Sequence, residues 1–258
     1  MYHSNGLEYR LSSYHHSYYF IVDYLSKNVD DKYKFNLDHS GILEPYPLTS
    51  KPKIQYSNHE YPTSYDSGHS FNASIFLSRS RPKTRFFNHN NDITKIAKEI
   101  FELMNHAEMP QNISINILPL ETFKFTHSHF GIWSNGILGF SINGANKEIF
   151  VRENQLDELI IVVGHEIGHV LTSTLPNKHD EEAKAFAFSI EWAKTIKKFN
   201  VANLGLSIKN EFEFQPARNG LHDMSFEFVS LMINQGRKAL DLHDDLVKRY
   251  VSVFDRIY

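Results

Sequence analysis

Residues 159–171, Leu-Ile-Ile-Val-Val-Gly-His-Glu-Ile-Gly-His-Val-Leu, carry no polar side chain except His165, Glu166 and His169. A segment with so little solvent face must be buried, and its length favours a helix over a strand. Three ionisable groups inside such a helix need partners, because a buried charge or unpaired polar atom is costly. On a helix, positions i and i+4 lie almost one above the other, so His165 and His169 project from one face. Two neutral imidazoles spaced in this way hold one zinc ion, and the glutamate after the first lies beside the open coordination position. There Glu166 can take a proton from water that the ion has made acidic.

The composition limits the alternatives. The 258 residues contain no cysteine, which excludes disulfides, thiol catalysis and a thiolate-based zinc site. Any metal must be held by His and carboxylate. A net charge of −3 gives no electrostatic case for nucleic acid or an anionic membrane. The longest uninterrupted apolar stretch, Leu159–Val163, is far short of a membrane span. Met1–Arg10 lacks the basic-then-apolar layout of a secretory signal, and a cytoplasmic location is expected.

The chain changes character near residue 90. Eleven of thirteen tyrosines precede residue 66, and Pro45, Pro47, Pro52, Pro62 and Pro82 punctuate the same region. Residues 14–26 fit a helix or an aromatic strand, and short strands with long loops are expected between residues 35 and 90, including a loop over 57–70. Residues 1–90 form a Tyr-rich N-terminal region, and residues 91–258 form the domain that carries the motif. In that second part Asp92 is a candidate N-cap, and Ile93, Ile96, Ala97, Ile100, Phe101 and Met104 make one helical face that ends before Pro110. Ile113, Ile115 and Ile117 alternate as a strand, and 137–142 and 148–152 read as two more with Asn143-Gly144 turning between them.

The motif helix should run from about Gln155 to near Ser173, before Pro176. A second helix should start at Asp180 as N-cap and end near Phe199, and the chain from Asp223 onward reads as helical, divided at Gly236. Helix, three strands, motif helix and further helices make an α+β layout.

A catalytic zinc takes three protein ligands and leaves one position open. After His169 the next candidates are His179, Asp180, Glu181 and Glu182. Glu182 lies one turn from Phe186 and two from Ile190, on the stripe that faces inward, while Glu181 lines up with Ala185 and Phe188. Glu182 is the favoured third ligand and Glu181 the alternative. Gly168 in mid-helix costs about 1 kcal/mol relative to Ala, which points to a close neighbour.

His165-Glu166-x-x-His169 followed by Glu182-Ala183-x-x-Phe186-Ala187 resembles the gluzincin metallopeptidases, in the form most similar to the ImmA/IrrE family and the minigluzincins. The resemblance covers about residues 92–200. It implies a zincin-like domain with a small mixed sheet, zinc on His165, His169 and Glu182, and Glu166 as the catalytic glutamate. It also implies that a sheet edge, 137–142 or 148–152, binds an extended peptide. The pattern departs from many gluzincins at Phe186, where they place an aspartate that orients a zinc histidine. The acceptor for that histidine must come from elsewhere.

The expected function is zinc-dependent peptide hydrolysis acting on a peptide or protein substrate, with no nucleic-acid or membrane partner. The rival is a zinc-binding regulatory or sensor module with restricted or no proteolysis. His222, in Asn219-Gly-Leu-His-Asp223, is a candidate electrophilic helper, with a capping or solvated histidine as the plainer alternative. His127 and His129 are expected at the surface. The N-terminal region either extends the fold around the cleft or covers the site as a pro-segment.

Overall fold

The computed structural model describes residues 71–88, 90–212 and 220–254, so the expectations for 14–26 and 57–70 lie outside the described residues. All described residues belong to one unit, His59–Tyr258. A short 3-10 turn at Ala73–Ile75 leads to strand β1 (Phe86–Phe87). Phe71, Ala73, Ile75, Phe76, Leu77 and Phe87 are buried in the same cluster as the motif helix.

Helix α1 (Asn90–Asn105) buries Ile93, Ala97, Ile100, Phe101 and Met104, the face read from their spacing. Asp92 stands inside its first turn rather than at the cap, where the helix dipole favours a carboxylate. Strand β2 (Ile113–Leu118) follows, with Ile113, Ile115 and Ile117 buried on one face. Next comes helix α2 (Leu120–His127), which sequence periodicity does not suggest. It buries His127 against the half-buried rings of Trp133 and Phe140, so His127 is not a surface residue. His129 is exposed.

Strands β3 (Gly139–Asn143) and β4 (Lys147–Arg152) form an antiparallel hairpin around Gly144, with Phe140 opposite Phe150. β4 also pairs in parallel with β2, so the sheet is mixed, in the order β2-β4-β3. β5 (Asn154–Gln155) pairs with β1 in a separate antiparallel ladder. Helix α3 (Leu156–Val170) is the motif helix, and its first turn is tied to the preceding segment by Arg81 and Thr84 on Asp157 and by Arg81 on Glu158.

Helix α4 (Lys178–Phe199) returns against α3. Its cap is Asn177, whose side chain accepts from the His179 N–H at 2.9 Å, and not Asp180. Asp180 instead accepts hydrogen bonds from the Ser252 hydroxyl and the Val253 N–H. Helices α5 (Leu221–Asn234) and α6 (Ala239–Val247) complete the domain, and Gly236 between them has φ +96°, a conformation that favours glycine. The architecture is α+β. Among the described residues no helix is long and apolar enough to cross a membrane.

Gly168 sets how closely α3 and α4 approach. A Cβ there would lie 2.9 Å from Ala185 Cα, a backbone atom that cannot rotate away. The gain in helix propensity from Ala is about 1 kcal/mol, against about 1–3 kcal/mol for overpacking. Gly168→Ala is therefore expected to lower stability. Urea unfolding of the metal-free protein checks this, and a raised midpoint would contradict it.

Candidate metal centre

The site forms where α3, α4 and the start of α5 meet. α3 is apolar on nearly every side because it packs against α4, strands β3 and β4, and the 73–75 turn. His165 is therefore buried, stacked on the Phe71 ring at 4.0 Å between centroids and packed against Phe186 at 5.0 Å. Phe186 thus serves as a wall for the first histidine. His169, one turn later, keeps a partly exposed edge.

Glu182 projects from the first turn of α4 into this space, as the inward stripe of that helix requires. Its Oε2 lies 3.4 Å from His165 Nε2 and 3.7 Å from His169 Nε2, and the two imidazole nitrogens are 3.3 Å apart. Ligand atoms on a tetrahedral zinc at bond lengths of about 2.0–2.1 Å are separated by about 3.3–3.4 Å. Two of the three separations match such edges, and the third, from Glu182 to His169, is longer at 3.7 Å. His222, at the start of α5, places its Nε2 3.1 Å from the same carboxylate oxygen and is also buried. His165, Glu182 and His222 form a buried group with donor atoms all within 4.8 Å of one another, and this group could hold a metal ion.

The second ring nitrogens are engaged away from the centre. His165 Nδ1 lies 3.2 Å from Ser189 Oγ, and that hydroxyl donates to the Ala185 carbonyl at 2.7 Å. His169 Nδ1 lies 2.8 Å from Glu181 Oε1. Glu181 therefore faces the back of His169, and Glu182 supplies the donor atom. Helical geometry turns consecutive side chains by about 100°, which separates the two neighbours in this way.

Charge in the centre is arranged around a cation. Burial pushes His165 down to about 3, against the pull of Glu182, and leaves a neutral ring with a lone pair. Burial also disfavours a charged His169, but Glu182, Glu181 and Glu166 together raise it to about 9. Burial opposes ionisation of Glu182 as well, yet His222, His169 and His165 hold its carboxyl well below the usual carboxylate range. Without a metal, a proton on His169 answers these carboxylates, and a bound divalent ion would take that proton's place.

Glu166 points toward the sheet. Burial pushes its carboxyl up to about 7, while His169 and a hydrogen bond with Ser141 of β3 pull it back. β3 passes so close that a Cβ on Gly139 would lie 3.0 Å from Glu166 Oε1. Because β4 is the middle strand, only β3 of the two candidate edges is available beside Glu166. Phe71, Ser141 and Ser189 also line the site without a signal in the sequence, each a single residue in a segment whose local pattern carries no metal motif.

No family model, characterised protein or solved structure matches this chain. The gluzincin resemblance accordingly rests on the motif residues alone.

Proposed function

We propose that the chain is a zinc-dependent peptidase. The observation that carries this reading is the convergence of His165 Nε2, His169 Nε2 and Glu182 Oε2, at 3.3, 3.4 and 3.7 Å from one another, with Glu166 on the same helix beside a sheet edge. This donor set fits zinc: two imidazoles and one carboxylate, with no thiolate. It is preferred to the set with His222 because His165 and His169 stand one turn apart on one helix, with their Nε2 atoms 3.3 Å apart. Bound zinc supplies Lewis acidity, which acidifies water and polarises a carbonyl.

The remaining work falls to the chain's own groups. Glu166 removes a proton from the attacking water as its oxygen bonds to the scissile carbon. It then delivers that proton to the amine as the C–N bond breaks. His222 donates a hydrogen bond to the carbonyl oxygen as negative charge develops there. β3 offers backbone groups to an extended peptide, which would add as a further strand. Chelation should abolish cleavage of a peptide mixture, and zinc should restore it. Cleavage that survives chelation would sink the reading.

A second reading has its own support. His165, Glu166, Glu182 and His222 are all less than one-tenth exposed, and the Phe71 ring covers one face of His165. So enclosed a centre suits a regulatory peptidase that accepts one exposed segment of one partner, or a zinc sensor that cleaves nothing. Unfolded casein separates these: a general peptidase digests it and a restricted one does not.

Gly139 offers a test of the edge-strand geometry. Gly139→Ala would bring a Cβ to 2.6 Å from Val162 Cγ1 and 3.0 Å from Glu166 Oε1, so it should displace both side chains, neither of which is a proposed metal donor. Misplacing a catalytic group by about 1 Å can cost on the order of 10²-fold. A fall in turnover approaching that size, with wild-type zinc content, is the expected result.

A further inference from the structure

We infer that Glu181 is a positioning residue of the metal centre, holding His169 by its ring and, through Lys184, by its backbone. The inference deepens the zinc reading and rests on it. Glu181 Oε1 accepts from His169 Nδ1 at 2.8 Å, and Oε2 accepts from the Leu175 N–H at 2.7 Å and the Lys184 ammonium at 2.9 Å. Lys184 is fully buried, and it donates in turn to the carbonyl oxygen of His169 at 3.1 Å and to that of Ser173 at 3.3 Å. The circuit therefore closes on one residue: the His169 ring to Glu181, Glu181 to Lys184, and Lys184 back to the His169 carbonyl.

Three consequences follow. A carboxylate on Nδ1 requires that nitrogen to carry the proton, so in a neutral ring the lone pair falls on Nε2, the atom that faces Glu182 and His165. A negative partner also makes the ring a stronger donor to a cation than a hydroxyl partner would, and His165 has only Ser189 in that role. Finally, the carbonyls left over at the end of α3 are capped by Lys184, by Lys147 on Leu171, and by Asn143 on His169 and Thr172. The last turn of the motif helix, which carries His169, is thereby fixed from both sides. Glu182 cannot share this task, because its Oε2 lies among the Nε2 atoms.

The test measures zinc affinity of the full chain by chelator competition, for wild type, Glu181→Gln and Glu181→Asp. Loss of an outer-shell partner typically weakens metal binding about 10–100-fold, and Glu181→Gln should fall in that range. Glu181→Asp keeps the charge on a shorter arm and should recover part of the loss. In the zinc-loaded wild-type protein, NMR should show the His169 Nδ1 proton downfield and slow to exchange. In Glu181→Gln it should move upfield and exchange faster. Thermal melts under chelation separate this from a fold defect, because a merely structural glutamate would lower the melting midpoint and leave the affinity of the folded fraction unchanged.

Wild-type affinity in Glu181→Gln or Glu181→Asp would overturn the inference, as would a wild-type protein with no such protected proton. If Glu181→Gln does not fold, the aspartate variant and the wild-type resonance still decide. A wild-type chain that binds no zinc would overturn the metal reading itself, and this inference with it.

Discussion

Glu166→Gln is expected to lower peptide hydrolysis by about 10²–10⁴-fold, the usual contribution of a positioned general base. Zinc content should be unchanged. The substitution keeps the size and shape of the side chain, so the contacts with Gly139 and Ser141 are retained while basicity is lost. Glu166 is also directed toward the sheet, away from the three proposed metal donors His165, His169 and Glu182. Turnover and metal content of the same preparations check both halves of the prediction. Full activity in Glu166→Gln would exclude it as the base, and loss of zinc would mean that it is a ligand.

Glu182→Gln should have the opposite signature, losing metal and activity together. Its Oε2 is the atom common to His165, His169 and His222, so a neutral amide removes the only anionic donor among them. The drop in zinc affinity should exceed the roughly 10–100-fold expected for an outer partner. Stability reports the same event. A ligand present at 1,000 times its Kd stabilises the native state by about 4 kcal/mol, and the variant should lose that zinc-dependent increment. Melting curves with and without zinc check it, and a wild-type shift in Glu182→Gln would move the third ligand elsewhere. His222→Ala, by contrast, should retain the metal shift if His222 serves substrate rather than the ion.

The elements that were legible in the sequence are those whose burial is periodic. Ile93, Ala97, Ile100 and Phe101 announce α1, and Ile113, Ile115 and Ile117 announce β2. The inward stripe through Phe186 and Ile190 likewise marks Glu182 as inward-facing. Elements fixed by tertiary contacts were not legible. α2 has Pro119 at its N-terminus with no side-chain cap, and its run of Thr and Phe reads equally well as a strand. Asp180 looks like a helix cap but is drawn off by Ser252 and Val253, more than seventy residues away. Asn177 takes the cap because it is the residue at which the chain turns.

The candidate site divides in the same way. His165, Glu166 and His169 are local, and helix geometry alone brings them together. Spacing favours Glu182 over Glu181 but does not separate them fully, since both sit in one helical turn. The choice is decided by what lies behind His169, where Lys184 and the Leu175 N–H create a pocket for a carboxylate. His222 and Phe71 come from segments about 50 residues after and about 90 residues before the motif, and only packing brings them to it. The Ser189 and Glu181 contacts supply the acceptors that the Phe186 position does not.

The central claim is that one zinc ion, held on His165, His169 and Glu182, gives this chain peptidase activity. The most direct measurement strips the full-length protein of metal and follows cleavage of a peptide mixture by mass spectrometry as zinc is added back. Hydrolysis should rise in proportion to zinc, level off at one ion per chain, and stay absent in Glu166→Gln loaded to the same content. A fully zinc-loaded wild-type chain that cleaves nothing, or cleavage undiminished without metal, would contradict the claim.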